Sequence, residues 1–186
     1  FGGISMNEEF SFMNEKLLRQ KGISHMELNL SGLQSVDSDL PLLMNKLLTE
    51  YNIPADSVNL EITESVAITS GYMLKKNMDE LKKMGCSFSM DDFGTGYSSL
   101  NHIREMPIDI IKIDRCFVEN LANDEFAGAF VKMVGELAKS IGVVVCVEGI
   151  EQKEQLVILK NMNVDMIQGY YYGKAMPVEE FEDCYL

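Results

Sequence analysis

The chain has 186 residues, 46 % of them hydrophobic, which is enough for one domain with a full core. Against 16 Lys and Arg stand 29 Asp and Glu, a formal charge of -13. A surface of that sign repels nucleic-acid polymers, although it leaves room for a small anion held through cations.

No apolar run reaches the roughly 20 residues that cross a bilayer. The opening FGGISMNEEF has neither the charged start nor the apolar stretch of a secretory signal. Cys86, Cys116, Cys146 and Cys184 form no CxxC pair, so structural zinc has no support. The expectation is a cytoplasmic protein with reduced, mostly buried thiols and no membrane contact in this segment.

In chain order the expected strands are 25–30, 58–63, 87–91, 109–114, 143–148 and 166–171. Helical period fills the intervals. Residues 40–51 carry Leu at 40, 42, 43, 47 and 48, and 71–84 carry Met73, Met78, Leu81 and Met84. Residues 119–141 place Phe126, Phe130, Val131, Val134, Leu137 and Ala138 on one face, and 152–162 and 177–185 complete the set. Gly85 and Gly142 are helix stops. The methionines read as core filler. Alternating strands and helices predict a parallel sheet with right-handed crossovers, and apolar runs such as VVVCV suit strands covered on both faces.

Each expected strand ends on a polar side chain: Asn29 in MELNLS, Glu61 and Glu64 in NLEITES, Asp91 and Asp92 in FSMDDFG, Lys112 and Asp114 in IIKIDR, Glu148 in VVCVEG and Gln168 in MIQGYY. A parallel barrel turns such ends toward one rim, whereas a doubly wound sheet spreads them along a line. The barrel is the more economical reading. Asn29, Glu61, Asp91, Asp92 and Glu148 are hard oxygen donors, suited to Mg²⁺ or Mn²⁺, and adjacent Asp91 and Asp92 can split between two ions. Lys112 adds a positive charge among the acids, Glu148 is a ligand or base candidate, and Gln168 can orient a ligand or water.

Taken singly, these residues have plainer readings. An Asp-Asp is a turn or cap, Glu64 a solvated carboxylate, and Lys112 one partner of a buried charge pair. GTGYSS at 94–99 is not a dinucleotide fingerprint, because Ser99 stands at the last Gly. Its glycines allow tight turns, and Ser98 and Ser99 offer a helix cap. His25 and His102 show no partner pattern, and Tyr170, Tyr171 and Tyr172 are expected to divide between barrel interior and helix packing.

The stretches LNLS, LEITES, DDFGTGYSSL, IKID, VEGIE and QGYYYGKAMP, in this order, resemble the EAL-type cyclic-di-GMP phosphodiesterases. The resemblance covers nearly the whole chain, with Ala175 where relatives often have Pro. It implies one EAL-type domain over 1–186, a TIM-like (β/α) barrel that opens cyclic di-GMP to pGpG with two ions, Mg²⁺ or Mn²⁺. By matching motifs, Asn29, Glu61, Asp91, Asp92 and Glu148 look like metal ligands and Lys112 like the lysine that positions water. Glu64 looks like the anchor of the loop after Asp92, and Gln168 like a glutamine lining the site. The Glu-x-Leu motif is absent from this chain. The expectation is therefore a domain truncated at its N-terminus, with about six of the eight barrel strands. From it follow homodimerisation along the open side and an upstream sensory or diguanylate-cyclase-like domain in the parent protein. Two other readings remain: a module that binds cyclic di-GMP or a protein without turnover, and an enolase-like barrel with Lys112 as base.

Overall fold

The computed structural model describes residues 6, 10, 22–23, 25–96 and 104–185. Among them the strands are β1 (Met26–Asn29), β2 (Val58–Thr63), β3 (Ser87–Phe93), β4 (Ile110–Ile113), β5 (Val144–Val147) and β6 (Met166–Ile167). The helices are α1 (Gly32–Ser35), α2 (Leu40–Glu50), α3 (Glu64–Thr69), α4 (Gly71–Met84), α5 (Glu125–Ile141), α6 (Lys153–Leu159) and α7 (Val178–Tyr185). The sheet order follows the chain, β1-β2-β3-β4-β5-β6, and the described pairings are parallel. This is an α/β fold of the TIM-like (β/α) class. No helix among the described residues is long and apolar enough to cross a membrane.

The chain divides into two compact units, one formed by Phe1–Ile62, Thr69–Phe88 and Met176–Leu186, the other by Thr63–Ile68 and Ser89–Ala175. In the first, β1 and β2 run in register from Met26 opposite Val58 to Asn29 opposite Glu61. The α2 stripe differs from the leucine pattern. Leu40, Met44, Leu47 and Leu48 are buried, at helical spacing, while Leu42 and Leu43 are exposed. Runs of leucine do not specify a face, but the period does. Buried Asn77 of α4 donates to the carbonyls of Ser35 and Asp37 at 3.0 and 2.7 Å, which ties the end of α1 to α4. Gly85, at φ 109°, ends α4 as expected.

In the second unit β4 packs between β3 and β5, and β6 closes the order. Helix α5 begins at Glu125, not at 119. The Asp124 carboxylate accepts from the Phe126 and Ala127 amides at 2.9 and 3.2 Å, so the cap overrides the longer apolar period. Phe126 lies outside the buried stripe, which is Ala127, Val131, Val134, Gly135 and Ala138. Strand β6 has two residues, and beyond it Gly169 passes so close to the Ile150 backbone that no Cβ would fit. Tyr170, Tyr171 and Tyr172 are all exposed, contrary to the expected packing. They stand on the turn closed by the Tyr172 amide and the Gly169 carbonyl. Helix α3 escaped sequence reading, because its Val, Ile and Thr are weak helix formers. The cysteines divide evenly, with Cys86 and Cys146 buried and Cys116 and Cys184 exposed, and all four are free. Burial pushes the Cys86 thiol up to about 11 and keeps it inert.

Gly135 of α5 faces the Met162 carbonyl oxygen at a distance that admits no methyl, with the Asn163 carbonyl 3.0 Å from the same point. Gly135→Ala is expected to cost about 1–3 kcal/mol despite alanine's better helix propensity. A melting temperature at or above wild type would contradict this packing.

Candidate active site

Strand β3 reaches beyond the expected 87–91, and its irregularity forms the site. Met90 is paired with Ile111, and Phe93 with Ile113, so Asp91 and Asp92 together oppose Lys112 alone. Two residues against one is a β-bulge. In a regular strand, adjacent side chains point to opposite faces. Here Asp92 takes a left-handed φ of 56°, which breaks that alternation. Aspartate tolerates this conformation better than most residues.

Lys112 is 3 % exposed, and its ammonium lies 2.8 Å from Glu148 Oε1, with Glu148 19 % exposed. The pairing of β4 and β5 sets this geometry: Lys112 is level with Cys146, and the Glu148 amide donates to the Ile113 carbonyl at 3.0 Å. Buried Glu64, the first residue of α3, accepts from the Gly94 amide at 2.8 Å through Oε2. That bond fixes the turn directly after the Asp pair. Gln168 is exposed, and its amide donates to the Val147 carbonyl at 2.9 Å, next to Glu148. Asp91, Asp92, Lys112, Glu148, Glu64 and Gln168 all belong to the second unit. Asn29 and Glu61 belong to the first, paired across β1 and β2, with Asn29 exposed and Glu61 buried. His102, Ser98 and Ser99 lie outside the described residues.

Asp92 is held above the ordinary carboxylate range, first by burial and then by the charges of Asp91 and Asp114. Lys112 opposes the shift, and Glu64 adds to it. The folded chain thus binds this proton more tightly than the unfolded chain. The stability that follows is complete below the ordinary value of about 3.9 and is lost as pH rises through the raised one. In a chelating buffer, Asp92→Asn is therefore expected to melt above wild type at pH 7. The gap should close below about pH 4, where both side chains are neutral. An equal gap at both pH values would point to a cause other than charge.

The residues suit a hard divalent cation in donor chemistry. Among the described residues, Asp91 Oδ1 is buried without a hydrogen-bond partner, an arrangement that costs free energy unless a cation or water meets it. Among the described residues, no three His, Cys, Asp or Glu are gathered into a ready metal-binding group, and Glu148 is engaged by Lys112. One contributor escaped sequence reading altogether. Buried Gln155 accepts from the Glu151 and Gln152 amides at 2.9 and 2.8 Å and donates to the Val118 carbonyl at 2.8 Å. It links the loop after Glu148 to the turn after Lys112. Its only sequence signal is the capping-box spacing Gln152-x-x-Gln155.

Comparison with known proteins gives the family of the chain. A family described as EAL domain matches residues 8–175. Cyclic di-GMP phosphodiesterase RocR of Pseudomonas aeruginosa is 39 % identical over 140 residues, covering 75 % of this chain and 36 % of RocR. The PaMucR phosphodiesterase in its c-di-GMP complex superposes with a TM-score of 0.87 at 30 % identity, covering 94 % of this chain and 71 % of that one. Klebsiella pneumoniae BlrP1, in a manganese and cy-diGMP complex, gives 0.81 at 25 % identity over 89 % of this chain and 42 % of its own. The chain spans from about a fifth to about a third of the curated relatives it matches. With the match over 8–175 and the acidic bulge facing a lysine, the chain belongs to the EAL domain family.

Proposed function

We propose that this chain carries the hydrolytic centre of a cyclic di-GMP phosphodiesterase, which opens cyclic di-GMP to linear pGpG with two divalent ions, Mg²⁺ or Mn²⁺. The observation that carries the reading is the β3 bulge, which sets Asp91 and Asp92 against Lys112, itself paired with Glu148. Family membership and relatives named as cyclic di-GMP phosphodiesterases support it. Within the second unit, the candidate ligands of this reading are Asp91, Asp92 and Glu148. Bound divalent ions supply polarisation of the phosphodiester and a water of lowered pKa.

The chain's own residues do the rest. The Lys112 ammonium, paired with Glu148, donates a hydrogen bond to the attacking water. Asp91, Asp92 and Glu148 are the carboxylates available to take the water's proton as its oxygen bonds to phosphorus, while one P–O ester bond breaks and the leaving oxygen takes up a proton from solvent. Glu64 holds the turn at Gly94, and Gln168 orients the ligand. A homodimer, an upstream sensory domain and a cytoplasmic setting for the parent protein belong to the same reading.

Incubation with cyclic di-GMP and Mn²⁺, followed by chromatography, is expected to give pGpG. Unchanged substrate would end the hydrolytic reading for this chain. Binding without turnover is the second reading, favoured by the engagement of Glu148 with Lys112 and by the lack of a ready metal group among the described residues. It requires calorimetric binding of cyclic di-GMP with no product.

A further inference from the structure

Asp92 holds a left-handed backbone inside a bulge, a conformation that few residues with a side chain adopt. Such conformations persist where their surroundings over-determine them. Glu64 accounts for one side of this turn, through its bond to the Gly94 amide. The other side is aromatic. A Cβ on Gly94 would lie 2.6 Å from Phe130 Cζ and 2.7 Å from Phe117 Cε2. Gly94 is therefore seated against these two rings with no space for a methyl.

The rings form one stack. Phe117 and Phe130 have centroids 4.0 Å apart with planes at 17°, and Phe93, the residue after Asp92, stacks on Phe130 at 6.3 Å and 25°. Phe117 ends the turn Arg115–Phe117, which follows β4 and its Lys112, and Phe130 belongs to α5. The wall thus connects the bulge that carries the Asp pair to the strand that carries the lysine and to the longest described helix. Phe126 continues the stack at 6.4 Å from Phe130 but is itself 70 % exposed.

We infer that the Phe117–Phe130 pair positions Asp92: the stacked rings hold the Gly94 turn from behind and so set the carboxylate geometry on which divalent-cation affinity depends. This rests on the phosphodiesterase reading above. Phe130 touches no reacting atom in this account, and its role is that of a positioning residue. The cation-binding consequence follows because the residues that orient ligands typically govern metal affinity by about 10–100-fold.

The test counts free Mn²⁺ by electron paramagnetic resonance during titration of the full chain, with no turnover required. Phe130→Leu is expected to weaken Mn²⁺ binding by at least about tenfold. Phe130→Tyr, which keeps the ring, should bind as wild type does. Phe126→Ala, at the exposed end of the stack, should also leave affinity unchanged. If Phe130→Leu proves too unstable, Phe117→Leu removes the other half of the wall and carries the same expectation. Wild-type affinity in a folded Phe130→Leu or Phe117→Leu protein would overturn the proposal, and so would an equal loss in Phe126→Ala. A wild-type chain that binds no Mn²⁺ would instead overturn the phosphodiesterase reading beneath it.

Discussion

Lys112→Met is expected to damage this protein twice, in turnover and in stability. The lysine is almost fully buried, 2.8 Å from a Glu148 that is itself 19 % exposed. Removing the cation leaves that carboxylate without its lysine in a poorly solvated place, and breaking buried pairs in this way costs about 3–5 kcal/mol. Turnover should fall by about 10²–10³-fold, the range for removing one positioned hydrogen-bond donor at a reacting centre. The double variant Lys112→Met with Glu148→Gln tests the stability effect. Neutralising the stranded carboxylate should restore most of the melting temperature, since apolar or neutral replacements of a buried pair are often tolerated. Turnover is read on the single variant, because the double variant also lacks the Glu148 carboxylate. Near-wild-type turnover in a folded Lys112→Met protein would show that the catalytic role assigned to Lys112 is wrong.

The second large effect is expected from Asp91→Asn. Among the described residues, Asp91 Oδ1 is buried and lacks a hydrogen-bond partner, and on the phosphodiesterase reading a bound cation meets it. Excess Mn²⁺ should stabilise wild type by about 2.7 kcal/mol at a concentration 100-fold above Kd. Asn keeps the shape but removes the charge, so most of that Mn²⁺-dependent rise in melting temperature should vanish. Cyclic di-GMP hydrolysis should fall by more than the roughly 10–100-fold that loss of an outer-shell partner causes. In chelator the variant should melt no lower than wild type. A full Mn²⁺ shift in Asp91→Asn would remove this residue from the ligand set.

The Asp92 and Asp91 expectations share a physical root. Both stand at the β3 end in partly dry surroundings, where burial first, and then the charges of Asp91 and Asp114, raise the proton affinity of Asp92. The second unit therefore keeps acidic residues at a position where the free protein gains no stability from them. Binding sites often retain such groups at the expense of stability.

The amino-acid order alone was enough for the alternation of strands and helices, for the polar residue at each strand end and for the likeness to the EAL family. These are properties of local period and of contiguous motifs, which the chain states directly. Strand and helix limits were less legible where a single contact decides them. Asp124, whose carboxylate caps the helix, starts α5 at Glu125. The outward positions of Leu42 and of the three tyrosines depend on which face each neighbouring element covers.

That Asp91 and Asp92 both belong at the strand end was legible from DDFGTG. That they share one partner, Lys112, was not, because a bulge is a mismatch between two strands and neither sequence contains it alone. The aromatic wall behind Gly94 has the same origin. Phe93, Phe117 and Phe130 are far apart in the chain and at ordinary core spacing, and only the packing of β3, the Arg115–Phe117 turn and α5 stacks them. Composition and motif thus determined the chemistry available to this protein. Strand register and side-chain packing decided how that chemistry is aimed, because direction arises from contacts between distant segments, and a linear pattern does not encode those contacts.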